Sequence, residues 1–282
     1  MDDLMAAGRA RKLVARLMLV PVDVGALLAE HGMVLKESEL DEGEAGRTFT
    51  KGGTTYIIVN KNDDPYRRRF TALHELAHHV LELPSKHGSH VPSNELERFA
   101  GRPPEERTCD VFASECLVPS HLIRPLVSEH PFSIDLLFDL SERFQASKQC
   151  IASSYVRNSR DLVAYVYSEG ERVHHVISSS ALRDAKIFVD YGLVPSTSAA
   201  ASAAVSISMR ATAEIDASDW CGCDAALGFT CYEEALHFPT WNQTHSLLTF
   251  EKVSQTIHGG TQSPEEDELL PELTGYPSWD KR

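Results

Sequence analysis

Long hydrophobic runs are missing from this chain of 282 residues. None approaches the roughly 18 apolar residues that a membrane-spanning helix needs. The start, Met1-Asp2-Asp3-Leu4, lacks the basic residues and apolar stretch of a secretory signal, so a cytoplasmic protein with no membrane association is expected. Basic residues are in short supply: 27 Lys and Arg stand against 41 Asp and Glu, for a net charge of −14. That balance excludes a general phosphate-neutralising surface and leaves room only for local nucleic-acid contact. Cysteine is sparse too. The six (Cys109, Cys116, Cys150, Cys221, Cys223, Cys231) are scattered rather than paired, which suits reduced thiols better than a disulfide framework. Cys221-Gly222-Cys223 with Cys231 has the composition of a soft-metal or redox site but not the paired spacing of a zinc ribbon, so small buried residues are the expected role.

What remains is a globular composition, 42% hydrophobic and 24% charged, with length enough for two domains. The stretch that organises it is Phe70-Thr71-Ala72-Leu73-His74-Glu75-Leu76-Ala77-His78-His79-Val80-Leu81. Phe70, Leu73, Ala77, Val80 and Leu81 recur at helical spacing with no Gly or Pro between them. On that helix His74 and His78 lie one turn apart on one face and can offer imidazole nitrogens to one zinc ion, with Glu75 placed to act on a water beside it. His79 is turned away, because neighbouring helical residues point about 100° apart.

The chain around it reads as alternating helix and strand. Residues 4–19 form an amphipathic helix, and a second follows an Asp23 cap and ends at Gly32. Two β-rich runs flank Gly52-Gly53 as a hairpin. Arg67-Arg68-Arg69 is a solvated first turn of the motif helix with acidic partners. Residues 85–104, rich in Gly, Pro, Ser and His, lack periodicity, and their His87 and His90 are candidates for substrate contact. A helix from Pro104 to Pro119 follows, with Glu106 and Asp110 on one edge. Residues 133–144 and 148–156 are two short helices with the outline of a helix-turn-helix, against which stands a plain helical-core hairpin. Next come a hairpin at 162–177, a helix between 181 and 191, a flexible or weakly helical small-residue stretch at 196–204, and strands ending near Val253. The acidic remainder is expected to be disordered.

Zinc takes four ligands, and a catalytic site keeps one for water, so two histidines need a third protein donor. A carboxylate on a neighbouring helix would complete a His2Glu set, and Glu106 begins the next strong helix. Arg69-Phe70-Thr71-Ala72-Leu73-His74-Glu75-Leu76-Ala77-His78, followed by Glu106-x-x-Cys109-Asp110-x-Phe112-Ala113-x-x-Cys116-Leu117-Val118-Pro119, resembles the ImmA/IrrE metallopeptidases. That family carries R-F-T-x-A-H-E-x-x-H and then E-x-x-A-N-x-F-A-x-x-L-L-M-P. Leu73 replaces the Ala before the first His, and Cys109-Asp110 replaces Ala-Asn.

The resemblance covers roughly residues 5–160 and implies His74, His78 and Glu106 as metal ligands and Glu75 as general base. Asp110 is placed beside them, and Tyr155, His79, His87 and His90 are candidates for substrate contact. It implies zinc, with manganese (Mn2+) the other metal that a carboxylate-containing set suits. It also implies hydrolysis of a protein substrate, a helix-turn-helix repressor, releasing stress-response or mobile-element genes. The alternative is a non-catalytic metal-containing regulator that binds DNA or a transcription regulator. The expected fold class is α+β. A mainly helical zincin-like domain with a small β-hairpin or sheet occupies 1–132, and the helix-turn-helix-like segment 133–160. A sheet-based α+β domain, GAF-like and sensory, occupies 161–255, and the acidic tail 256–282.

Overall fold

The computed structural model describes residues 3–41, 43–84 and 103–253. The fold is α+β, an N-terminal helical domain followed by a sheet-rich one, with ten helices and two sheets among the described residues. His87, His90 and the acidic tail lie outside them.

Helix α1 (Asp3–Val14) lays Ala6, Ala10 and Val14 against the later helix α4 (Pro104–Leu117), small side chains that let the two axes approach. It ends before the apolar residues 17–20, short of the expected 19. Pro21 restricts Val20 to extended backbone, and Met18 and Leu19 stand in solvent. Helix α2 (Val24–Glu30) starts where Asp23 accepts the Ala26 amide at 2.9 Å and stops at Gly32, whose φ of 69° favours glycine.

Strands β1 (Met33–Ser38), β2 (Gly46–Lys51) and β3 (Thr54–Asn60) make a sheet of order β1-β3-β2. The β2–β3 hairpin turns at Gly52 and Gly53, both at positive φ, as a two-residue turn between twisted strands requires. One face of β3 buries Ile57 and Val59 under helix α3 (Pro65–Leu81). The Asp64 carboxylate accepts the Tyr66 amide at 2.8 Å and Pro65 fits the first turn, so α3 begins where the sequence places it. Held between sheet and α4, α3 is buried continuously from Thr71 to His78. Leu73 and Leu76 are fully enclosed, each stabilising by about 1.5–3 kcal/mol. The arginines ahead of the motif are structural: Arg67 pairs with Asp63, Arg68 with Glu37, and Arg69 donates to the Val22 and Gln145 carbonyls.

Helix α5 (Ser120–Glu129) has no counterpart in the sequence reading, because Pro125 sits inside it and reads as a breaker. Glu115 compensates at its start by accepting both the amide and the hydroxyl of Ser120. Helices α6 (Ile134–Phe144) and α7 (Lys148–Asn158) are joined through Gln145, which takes the left-handed conformation usually given to glycine. Their outline matches a helix-turn-helix, but α7 is buried from Cys150 to Val156, including Ser153 and Ser154 of its polar side. A helix enclosed in this way has no face for a DNA groove, so the pair belongs to the core.

Strands β4 (Val163–Glu169), β5 (Arg172–Ser178), β6 (Arg210–Asp216), β7 (Phe229–Phe238) and β8 (Gln243–Lys252) form an antiparallel sheet of order β5-β4-β8-β7-β6. Period-two alternation divides its faces. Val163, Tyr165, Tyr167 and Leu247 join the core containing α6 and α7. Ala164, Val166, Leu248 and Phe250 join a second core under the short helices α8 (Ser180–Asp184), α9 (Ala199–Val205) and α10 (Ala217–Trp220). The sheet is fastened to the helical domain where Glu234 accepts the Ile134 amide at 2.8 Å, capping α6 from outside, and where Arg210 pairs with Asp135.

Two expectations change here. The helix at 181–191 shortens to α8. The small-residue stretch is an ordered helix with Ala199, Ala200 and Ala203 buried, held at its start where the Ala199 and Ala200 amides bond the Glu233 carboxylate. The cysteines carry no disulfide, and burial pushes the Cys221 thiol up to about 12, which suits packing rather than thiolate chemistry.

Candidate metal centre

Helices α3 and α4 pack face to face, and their facing polar side chains meet at one point. The Nε2 atoms of His74 and His78 are 3.2 Å apart. Glu106, from the first turn of α4, brings Oε2 to 3.1 Å from His74 Nε2 and Oε1 to 3.6 Å from His78 Nε2. One ligand atom from each of the three lies within 4.8 Å of the others, a grouping met nowhere else among the described residues. Helical periodicity explains the part within α3: a four-residue step puts both imidazoles on one face. The helix-to-helix part depends on Leu73, Leu76, Ala77, Cys109, Phe112 and Ala113, which form the dry contact beside the polar point.

On its other side His74 is held by Asp110. Its Nδ1 lies 2.9 Å from Asp110 Oδ1, a carboxylate only 2% exposed. Donation from Nδ1 fixes the tautomer and leaves Nε2 with a lone pair aimed at His78 and Glu106. Burial alone would lower the pKa of His74, but hydrogen bonds to Asp110 and Glu106, with the charges of Asp110 and Glu75, outweigh it and lift it to about 9. Burial would likewise raise Glu106, yet the two imidazoles hold its carboxyl well below the usual carboxylate range. The pocket is therefore built to retain a cation, a shared proton in the free protein or a metal ion in its place.

Glu75 stands 6% exposed on the adjoining face of α3, and its Oε2 accepts a 2.8 Å hydrogen bond from the hydroxyl of Thr48 in β2. Sequence reasoning has no signal for Thr48, since its role depends on how the hairpin lies over α3. His79 is exposed and turned away, as helical geometry requires. The Tyr155 hydroxyl is engaged elsewhere: it donates to the His130 carbonyl at 2.8 Å while the ring stacks on Phe132.

Two imidazoles and a carboxylate converging between packed helices are the donor set of a metalloprotein site that suits zinc. Residues 28–153 match the family model of the IrrE N-terminal-like domain, Peptidase_M78. Over that span, which is less than half of the chain, the sequence is similar to that peptidase family. Among solved structures, a Mycobacterium tuberculosis transcriptional regulator is similar with a TM-score of 0.57 at 12% identity, covering 87% of this chain and 75% of that one. The likeness is one of fold and extends across both the helical and the sheet-rich parts. No curated protein matches the chain. No described helix is long and apolar enough to cross a membrane.

Proposed function

We propose that this chain is a cytoplasmic zinc-dependent endopeptidase in which His74, His78 and Glu106 hold the metal, Asp110 orients His74, and Glu75 is the general base. The observation that carries the reading is the convergence of three donor atoms within 4.8 Å on two helices whose own packing holds them there. The donor set fits the metal: neutral imidazoles with a fixed tautomer and one carboxylate. When bound, zinc supplies a Lewis acid that polarises the scissile carbonyl and acidifies water at neutral pH. Glu75 accepts the proton that the attacking water loses and returns it to the departing amine. Asp110 keeps His74 Nδ1 protonated, so that Nε2 is the atom available to the metal, and Glu106 balances part of the ion's charge.

The substrate in this reading is a helix-turn-helix transcriptional repressor, whose cleavage would release stress-response or mobile-element genes. Support comes from the Peptidase_M78 match. The sheet-rich part, about residues 161–255, serves as the sensory element, and its contact with α6 and α7 gives it a mechanical path to the helical domain. The test is cleavage of a small helix-turn-helix repressor from the same genome by the zinc-loaded chain and by Glu75→Gln. Cleavage by wild type alone supports the mechanism; equal cleavage by both sinks it.

A further inference from the structure

Two residues of β2 face α3, and each does something that the metal ligands cannot. At Gly46 an added Cβ would lie 2.5 Å from Thr71 Cγ2 and 3.1 Å from the Ile58 carbonyl, so the strand rests on the helix more closely than any side chain permits. Two residues along, on the same face of the strand, Thr48 reaches Glu75 Oε2 at 2.8 Å. The close approach at Gly46 is thus what brings the Thr48 hydroxyl within reach.

We propose that Thr48 is a positioning residue for the Glu75 base, and that Gly46 is the contact that places it. The inference rests on the zinc-peptidase reading above and deepens it. A glutamate side chain has three rotatable bonds and is hard to hold, whereas a β-branched threonine is stiff at χ1 and here is anchored in a hydrogen-bonded sheet. By taking one carboxylate oxygen, Thr48 fixes the plane of the group and so the direction in which the other oxygen meets a proton.

The test uses Thr48→Val, which keeps shape and removes the hydroxyl, Thr48→Ser, which restores it, and Gly46→Ala, which lifts the strand. In the metal-free full-length chain, the 13C signal of the Glu75 carboxyl, assigned by its loss in Glu75→Gln, is expected to shift in Thr48→Val and Gly46→Ala and to return in Thr48→Ser. In the zinc-loaded chain, calorimetry with acetohydroxamate, whose bound form gives its proton to the base, is expected to show about tenfold weaker binding for Thr48→Val. Thr48→Ser is expected within about twofold of wild type, with zinc affinity alike in all, a pattern that a merely structural threonine would not produce. A Thr48→Val protein with the wild-type carboxyl signal and wild-type hydroxamate affinity overturns the proposal. If wild type binds no zinc, the peptidase reading fails by itself, while the carboxyl signal still decides whether Thr48 holds Glu75.

Discussion

Glu233 in the five-stranded sheet and Glu106 in the helical domain are both acids drawn into the protein, and their neighbours differ in kind. Glu233 is 0% exposed, and its oxygens accept the Ala199 and Ala200 amides at 2.9 and 3.0 Å and the Trp220 indole N–H at 3.1 Å. Burial raises its pKa and these donors only partly offset that. Its hydrogen-bond partners are all donors, so the carboxylate is satisfied as it stands. Glu106 instead faces two imidazoles whose ring nitrogens also face each other at 3.2 Å. Lone pairs converge there, and a cation is what satisfies them. A finished network marks architecture, and a convergent one marks a site.

The largest effect that would test this contrast is on turnover. Glu75→Gln is expected to lower repressor cleavage about a thousandfold, with zinc content and folding unchanged, read by gel assay and metal analysis. On the architectural side, Glu233→Ala removes the acceptor for three buried donors and is expected to destabilise the protein by about 3 kcal/mol in urea melts. Zinc affinity should stay as in wild type. A Glu233→Ala protein that loses zinc without losing stability would erase the distinction between the two carboxylates. Smaller again, Asp110→Asn is expected to weaken zinc binding by about 10- to 100-fold, because the His74 tautomer is no longer enforced. Competition with a chromophoric chelator measures it.

How far these roles could be seen in advance depends on distance along the chain. His74, Glu75 and His78 sit on one helix, where spacing alone gives the face they share. Glu106 and Asp110 needed a second helix, but its acidic first turn ahead of an apolar run was visible as a pattern. Thr48 was not, because what makes it matter is the resting of β2 on α3 at Gly46, a tertiary fact with no local periodicity. The same logic explains α9. Its residues favour a helix, but a run of 7 is too short to hold one in isolation, and this helix depends on a carboxylate in β7, 34 and 33 residues away from the two amides it holds. Helix α5 was hidden by Pro125, whereas the local outline of α7 left two roles open, and the helical-core role holds because the neighbouring helices and the sheet-rich part cover it.

Histidines sharpen the comparison in a final, smaller way. His74 is surrounded by carboxylates and its pKa is raised, whereas His245, at the face where the sheet meets α7, sits among the rings of Tyr165, Tyr167 and Phe238. Burial, and then the charge of Lys148, lower His245 to about 4, while Nδ1 accepts the Tyr165 hydroxyl at 2.7 Å. His175 is lowered to about 4 as well, by burial and then by Arg157. A folded pKa below the unfolded value means that the unfolded chain binds more protons between about pH 6.5 and about pH 4. Stability is therefore intact at neutral pH and is lost as the pH falls through that window. For His245 alone the loss between about pH 7 and about pH 5.5 should be about 1 kcal/mol. His245→Phe, which keeps a ring among rings, should start slightly less stable at pH 7 for want of the Tyr165 hydrogen bond, yet lose less on acidification than wild type. Parallel acid dependences in the two proteins, measured by urea melts at each pH, would show that the imidazole at the sheet face is not buried as a neutral group. That result would remove the contrast with His74.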